Sequence, residues 1–468
     1  MNKLIIAAAA ALVLVALLAL PAVVSSMTEA RVRERVAAID ASSTASAEVT
    51  AFDRGWFHST ANIVLNFAPD PVQLGGLPPD LVAMQSNVPA IPLAVEFAHG
   101  PIAVLDGVYF GWSKWVARLD MQAPGVTELT QTLGVPYVFE FRGRTGFGGN
   151  LAFDADAPAF ELPIDEALVT FSGANLDGTF DGRRALVART HVPSVDFTAP
   201  TGTFLVTDLR ASVDNEIRSR YVMPGQATFS IDRIAVSDAF QGGTPVFEAA
   251  NLQVSSESTL DAAEVLIDMH IAYALESMRI AESQVTAAAI DVTVRNVDVA
   301  ALDAYGAAIE DVASQADPLT TLGPHLERAL KAGPTLALDP IRFELDGEPF
   351  DGRVQVAADP ARLPPAGTLD IENPLLVIGL LDTTAEVRLS KALAQNLATL
   401  VARLQLASDG SVPADELDYL AEAQAGLTLT LLVGQGVLVE DGGAYVSAVE
   451  FRNGTLTLNG NALPFGLQ

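Results

Sequence analysis

Alternation of apolar and polar side chains, punctuated by Asp-Gly and Asn-Gly, constrains this chain more than any other feature. Ile63, Leu65 and Phe67 alternate with Asn62, Val64 and Asn66, and the same period recurs at Phe229 and Ile231 and at Val292 and Val294. It returns from Tyr445 through Phe451 and at Leu456 with Leu458. Residues two apart in an extended chain share a face, so this period marks strands with one buried face. Asp-Gly falls at Asp106, Asp177, Asp181, Asp346, Asp351, Asp409 and Asp441, and Asn-Gly at Asn453 and Asn459. Both dipeptides tolerate positive φ and favour tight hairpins. Hairpins in succession imply a mostly antiparallel sheet rather than βαβ units. Leu176–Arg183 resembles Leu345–Arg353 apart from one inserted residue, which leaves a duplicated β-unit open beside coincident turn chemistry.

Helical spacing interrupts the second half. Val299, Leu302, Tyr305, Ile309 and Val312 step by three and four, with Asp298 as N-cap, and a short segment follows from Pro324 to Leu330. Leu389, Leu393, Leu397, Leu400 and Leu404 form a stripe opposite Lys391, Gln395 and Thr399, which predicts a helix buried against the sheet. Another helix is expected from near Pro413, with Leu417 and Leu420 on one face. The expected fold class is therefore α+β and β-dominated: an N-terminal transmembrane helix, then a large, mostly antiparallel sheet with a few amphipathic helices packed on it.

The transmembrane expectation rests on Leu4 to Val24, twenty-one residues without a charged or strongly polar side chain. At 1.5 Å per residue such a run reaches about 30 Å, the hydrocarbon thickness of a bilayer. A cleaved secretory signal is the competing reading, with Val24-Ser25-Ser26 as the cleavage site. Signal cores, however, run to only about 7–15 residues. Residues 1–26 are thus read as an anchor and 27–47 as a juxtamembrane helix (Ser26 to Ile39) and a polar linker (Asp40 to Ala47). Residues 48–468 form the β-rich domain, with helical segments near 299–332 and 384–424. Orientation is in conflict: Arg31, Arg33 and Arg35 follow the run and favour a cytosolic domain, whereas long domains translocate largely regardless of flanking charge.

Charge and residue types exclude several classes of function. With 57 acidic and 27 basic residues the formal charge is −30, which disfavours nucleic acid and broad adhesion to anionic lipid. Cysteine is absent, so thiol catalysis, disulfides and Cys-ligated zinc are excluded. The five histidines, His58, His99, His191, His270 and His325, never approach metal-site spacing. Asp154 and Asp156 open like a calcium loop, which Pro158 breaks. Gly143, Gly146, Gly148 and Gly149 form no phosphate cradle, since no Lys-Ser/Thr pair follows them. No catalytic residue, cofactor or metal is expected, and the chain reads as non-enzymatic.

Three stretches carry a resemblance. They are Phe52-Asp53-Arg54-Gly55-Trp56-Phe57-His58-Ser59, then Phe97-Ala98-His99-Gly100-Pro101-Ile102, and finally Asn453-Gly454-Thr455-Leu456-Thr457-Leu458-Asn459-Gly460. In this order behind an N-terminal anchor, the chain resembles the YdgA-like family of bacterial envelope proteins, a conserved family of unknown function. Arg54, Gly55, Trp56, Phe57, Ser59, His99, Gly100, Pro101, Gly454, Leu456, Asn459 and Gly460 carry the likeness. Val292–Leu302 is similar to that family's strand-then-helix junction. The resemblance implies one inner-membrane helix and a large periplasmic β-rich domain, and it brings no reaction. Read as residues, these motifs are structural. Gly55 bends a strand that Phe52–Ser59 opens, Trp56 and Phe57 fill opposite sheet faces, and Arg54 pairs with Asp53 or a nearby carboxylate. His99 is a hydrogen-bonded turn imidazole.

Three functional expectations follow. The first is a membrane-anchored protein whose sheet binds or transfers a lipid or another apolar ligand. The second is an envelope scaffold acting through self-association, as a homo-oligomer. The third and most remote is a carboxylate-based hydrolase.

Overall fold

The computed structural model describes residues 21, 24–34, 36–37, 45–67, 90–123, 125–219, 221–238, 245–280, 283–312, 318–365, 367–369, 373–409, 413 and 416–463. The Leu4–Val24 run lies outside the described residues except at Pro21 and Val24. Among the described residues no helix is long and apolar enough to cross a membrane. The chain divides into two compact units, Met1–Pro200 with Thr207–Glu216, and Thr201–Val206 with Ile217–Gln468.

The first unit opens on a helical segment, residues 24–34, and continues with β1 (Ala45–Arg54), β2 (His58–Phe67) and β3 (Ile91–His99). A small hairpin of β4 (Ile102–Val104) and β5 (Val108–Phe110) precedes β6 (Ser113–Leu119) and α1 (Val126–Leu133). Then come β7 (Glu140–Thr145), β8 (Leu151–Ala157), β9 (Phe160–Ile164), β10 (Ala167–Phe171), β11 (Ala174–Phe180) and β12 (Ala185–Ala199). Antiparallel pairing runs β1–β2–β3–β6–β7–β8–β11–β12–β10–β9. One face is apolar. Ala61, Val95 and Ala117 align across β2, β3 and β6, and with Phe97 they form a buried cluster against which Val32 of the N-terminal segment packs. The expected linker is shorter than its sequence suggested, because Ala45–Ala47 already belongs to β1. Ala47 is buried there, so small side chains that read as linker serve as packing surface.

Glycine sits where aromatic rings lie across a neighbouring strand. A Cβ on Gly143 of β7 would fall 2.3 Å from the Trp115 indole, and one on Gly178 of β11 would fall 2.3 Å from the Phe153 ring. The glycine-rich patch is thus partly a platform for Trp115, which also meets Phe141 edge-on at 5.0 Å. Packing of a ring over the missing side chain stabilises a sheet that glycine alone would weaken.

After β13 (Gly202–Glu216), the second unit begins with four long strands, β14 (Gly225–Asp238), β15 (Pro245–Leu260), β16 (Leu266–Ile280) and β17 (Ser283–Asp298). Helices α2 (Val299–Val312) and α3 (Pro318–Lys331) follow, then β18 (Thr335–Leu345) and β19 (Glu348–Ala358). Next are α4 (Pro374–Gly379), β20 (Leu381–Ser390), α5 (Lys391–Asp409) and α6 (Leu417–Gly434). β21 (Val439–Asp441), β22 (Ala444–Arg452), β23 (Thr455–Leu458) and β24 (Asn461–Leu463) close the described chain. Pairing is antiparallel in the order β14–β15–β16–β17–β18–β19–β20–β22–β23–β24, with β21 also on β22. Local hairpins make the order: Asp346-Gly347, Asn453-Gly454 and Asn459-Gly460 all take positive φ, which two-residue turns of this type require. Two of the Asp-Gly pairs are no turns, since Asp177-Gly178 lies inside β11 and Asp351-Gly352 inside β19. The similar stretches 176–183 and 345–353 therefore place their turns at opposite ends, and the two segments are not structural equivalents.

Asp298 caps α2 as its spacing predicts. Its Oδ1 accepts the Ala301 N–H at 2.7 Å and Arg328 Nε of α3 at 2.9 Å, which ties both helices to the end of β17. The leucine stripe differs from expectation. Leu389 belongs to β20, so α5 starts at Lys391. Leu393 is fully buried, but Leu397, Leu400 and Leu404 are exposed. α5 instead buries Ala394 and Ala402, and α6 buries Ala421, Ala425 and Leu429 at a spacing of four. Small residues let the two helices approach closely, and α5 also touches β19, β20 and β22, so the helix packs on the sheet while the outer leucines of its stripe stay exposed. Pro413 precedes the second helix without starting it, because α6 begins at Leu417 with Glu416 at its cap position.

Candidate functional site

In the first unit, the ends of β1, β2 and β3 bring the first two motifs together. Arg54 ends β1 opposite Ser59, and Gly55, Trp56 and Phe57 form the loop to β2. A Cβ on Gly55 would lie 2.0 Å from the His58 carbonyl oxygen, so only glycine fits this bend. The Gly55 N–H donates to Ser59 Oγ at 3.2 Å, and the His99 N–H donates to the Phe57 carbonyl at 2.8 Å. Gly100 donates to the Trp112 carbonyl at 2.7 Å ahead of a cis Gly100–Pro101 bond. Its own hypothetical Cβ would sit 1.6 Å from the Gly111 oxygen.

These contacts enclose three polar side chains. His99 Nε2 lies 2.8 Å from Ser59 Oγ, and Ser59 Oγ lies 3.1 Å from Ser25 Oγ. All three residues are buried. Burial, and then the neighbouring His58, lower the His99 pKa to about 4, so the ring is neutral at physiological pH. Its Nδ1 is buried and has no partner among the described residues. A bare lone pair costs less there than an unpaired N–H, so the proton belongs on Nε2 and His99 donates to Ser59. Ser59 then accepts from Gly55 and His99 and donates to Ser25. In that arrangement the His99 proton faces Ser59, and among the described residues no carboxylate meets its far nitrogen. The cluster clasps the N-terminal helical segment to the sheet.

Trp56 is 56% exposed and Phe57 is likewise exposed, which corrects the expectation that they fill the two faces of a strand. They occupy the loop between β1 and β2, where there is no sheet face to fill. The terminal motif belongs to the second unit. Asn453-Gly454 turns β22 into β23, and Leu456 pairs with Phe451 and Leu463. Asn459 Oδ1 accepts the Ala448 N–H at 2.7 Å, while its Nδ2 donates to the Gly436 and Val437 carbonyls at 2.7 and 3.1 Å. With Gly460 completing the turn, this side chain fastens β22 to the chain leaving α6. No periodicity signalled either clasp.

Elsewhere in the first unit, Arg118 and Arg142 grip the buried Glu140, and Arg142 reaches Asp154 and Asp156 at 3.1 and 2.9 Å. Burial raises the Glu140 carboxyl, and the two guanidiniums outweigh it, leaving its pKa below the usual value. Asp154 and Asp156 thus act as partners of arginine. Among the described residues no cluster of metal-ligating side chains occurs.

The second unit presents a different feature, which the register makes explicit. Ile271, Val292, Leu338, Val354, Ala385, Val449 and Leu458 lie side by side across seven strands. Beside them runs Phe229, Val254, Tyr273, Ile290 and Ile341, and on the other side Met269, Val294, Leu336 and Val356. This face carries no charge along those rows. The opposite face carries Arg342–Asp351 and Arg353–Glu386 pairs and a depression of about 400 Å³ lined by Gln355, Thr384 and Glu450. Among the described strand residues of β14 to β20 only Ala235, Ala249, Ile267 and Asp298 are buried; none of the row residues is, and Tyr273, Ile290 and Leu336 among them are exposed. Alternation at Phe229, Val292, Val294 and Leu458 marked strands with one buried face; in the structure these side chains lie on that face without being fully buried.

The family of bacterial proteins of unknown function DUF945 matches residues 1–465. The chain belongs to that family. No curated protein and no solved structure matches it. The DUF945 assignment spans both units and all three motifs, and it brings no reaction to them.

Proposed function

We propose that this DUF945 protein is a non-enzymatic, membrane-tethered binder of apolar ligands, lipids foremost, held along the charge-free face of its second unit. The carrying observation is that face: three aligned rows of mostly Val, Ile, Leu and aromatic side chains, none of them fully buried and Tyr273, Ile290 and Leu336 exposed. Burying one such side chain is worth about 1.5–3 kcal/mol, so the rows favour a cover. An acyl chain supplies one without needing a directional partner. Adjacent strands lie about 4.8 Å apart, and seven of them give a run of about 30 Å, long enough for an extended acyl chain. The tether is the Leu4–Val24 run. The likeness to YdgA-like envelope proteins favours the inner membrane, with the domain in the periplasm. Against hydrolysis stand the neutral His99 and the absence of a carboxylate at its Nδ1 among the described residues.

The test is native mass spectrometry with lipid extraction on full-length protein purified from membranes, beside Ile290→Glu/Val354→Glu. Co-purifying lipid that the variant loses, with its fold intact, is the expected result. A lipid-free dimer that the variant splits into monomers would establish the scaffold reading instead.

A further inference from the structure

We propose that the Trp56–Phe57 loop and the outer face of the β4–β5 hairpin form a docking surface that dips into the interface of the bilayer the Leu4–Val24 run enters. This rests on the tether reading above and adds a second, independent contact with the same membrane. Three observations within the first unit carry it.

The first is the hairpin's own sidedness. Ile102 pairs with Phe110 and Val104 with Val108, and all four side chains point outward, Phe110 being 69% exposed. Between them Ala103 is fully buried, facing the opposite way with Tyr109. The hairpin is fixed in this pose, because Lys114 Nζ donates to the Asp106 carbonyl at its turn at 2.8 Å and Gly111 donates to the Pro101 carbonyl at 3.1 Å. An apolar outer face on so small a unit, turned away from the sheet, has no use in water.

The second is where the chain arrives. Ser25, the residue after the apolar run, is clasped by Ser59, two residues from Phe57. The Phe57 carbonyl is bonded to His99, and Gly100-Pro101 leads directly into β4. The end of the run, the aromatic loop and the hairpin are therefore joined by consecutive hydrogen bonds. An anchor leaving the bilayer at Ser25 brings Trp56, Phe57 and the hairpin to headgroup depth. Trp and other rings with a polar edge settle there.

The third is charge. The chain carries a net −30, yet the strand ends at this edge bear Arg54, Lys114 and Arg144, with Lys114 and Arg144 directly paired across β6 and β7. Asp53 and Asp106 are the acidic residues closest in the chain to this surface, Asp106 at the turn that Lys114 holds. A basic edge in an acidic chain, beside exposed aromatic and aliphatic side chains, matches an anionic lipid surface.

The native chain contains no cysteine, so Val108→Cys in the full-length protein carries a single environment-sensitive fluorophore. Glu128→Cys on α1, which follows the opposite end of β6, is the reference. Both are reconstituted into phosphatidylethanolamine–phosphatidylglycerol vesicles, with and without lipids bearing a nitroxide near the headgroup. Vesicle flotation is read on the same samples. The expected result is a blue-shifted, several-fold brighter Val108 label, quenched by nitroxide lipid and shielded from aqueous iodide, while the Glu128 label behaves oppositely. Flotation with a Val108 label open to iodide and indifferent to nitroxide lipid overturns the docking surface and leaves the tether standing. A label shielded from both quenchers means that protein covers the patch, which also overturns it. Failure to float removes tether and docking surface together.

Discussion

The hydroxyl oxygens of Ser25 and Ser59 lie 3.1 Å apart in a buried contact that joins the N-terminal helical segment to the start of β2. Ser59 also meets His99 Nε2 at 2.8 Å and the Gly55 N–H at 3.2 Å, so one hydroxyl serves three partners. Ser59→Ala would strand Ser25 and His99 in a dry site and remove the partner of the half-buried Gly55 N–H. Leaving buried polar groups unpaired costs about 1–3 kcal/mol each, so the variant should lose at least that much stability in chemical denaturation. Ser25→Ala should cost less, because Ser59 keeps its other two partners. Equal stability of Ser59→Ala and wild type would show that the clasp is incidental.

His99 makes the same cluster sensitive to pH. Its pKa is about 4 when folded, against 6.5 for the free side chain. Between these values the unfolded chain binds a proton that the folded chain does not, so stability is full above pH 6.5 and falls as the pH drops toward 4. The loss levels off below that point and amounts to at most about 3 kcal/mol. Glu140, with its lowered pKa, adds a further loss at more acidic pH. Denaturation midpoints of wild type and His99→Gln across this range separate the two contributions. The slope between pH 6.5 and 4 should flatten in the variant, and an unchanged slope would assign it to another group.

Trp56→Ala should leave the melting temperature of detergent-solubilised protein almost unchanged, because exposed substitutions usually stay within about 0.5 kcal/mol. A large loss would mean that the indole is covered in the folded protein.

Trp115 over Gly143 gives the opposite case. A methyl group on Gly143 would meet the indole at 2.3 Å, and overpacking of this kind typically costs about 1–3 kcal/mol. Gly143→Ala should therefore destabilise the first unit. In a Trp115→Ala background the same change should cost much less, since the ring it collides with has gone. Additive losses in a denaturation-based double-mutant cycle would show that ring and glycine do not interact.

The antiparallel meander was legible because alternation and turn chemistry agree: Asn453-Gly454 and Asn459-Gly460 turn where positive φ is cheap, and Leu456 and Leu458 keep the period between them. Asp351-Gly352 shows the limit, since the same dipeptide sits inside β19 paired with Arg388 and Val387. Leu389 was misplaced for a related reason. It alternates with Ala385 and Val387 in β20 and also stands four residues before Leu393, so both periods accept it. Trp56 and Phe57 read as core because an aromatic residue favours burial, and their chain neighbours do not reveal that Gly55 turns them out of the sheet. The Ser25–Ser59–His99 clasp joins residues thirty-four and forty apart, and no pattern in the sequence marks such a contact. The apolar rows of the second unit were visible as strands. What covers them is a property of the assembled sheet and of its surroundings.

The helix α5 separates burial from mere apolarity within a single element. Leu393 is 0% exposed and sits two residues past the start of the helix, where its N–H is capped by Ser390 Oγ at 2.9 Å. Leu404, three turns on, is 63% exposed. Both are leucines on the stripe that spacing alone assigns to the sheet. An aspartate at Leu393 would bury an unpaired carboxylate, which is strongly unfavourable, so Leu393→Asp should unfold or misassemble the second unit. Leu404→Asp places the same charge in solvent and should leave the far-UV spectrum and melting temperature near wild type. Sedimentation of Leu404→Asp supplies a second readout, because a helix face shared with another copy would give monomers from a native-state oligomer. If Leu404→Asp melts as early as Leu393→Asp, the outer stripe is covered, and the pairing of α5 with α6 through Ala402, Ala421 and Ala425 is wrong.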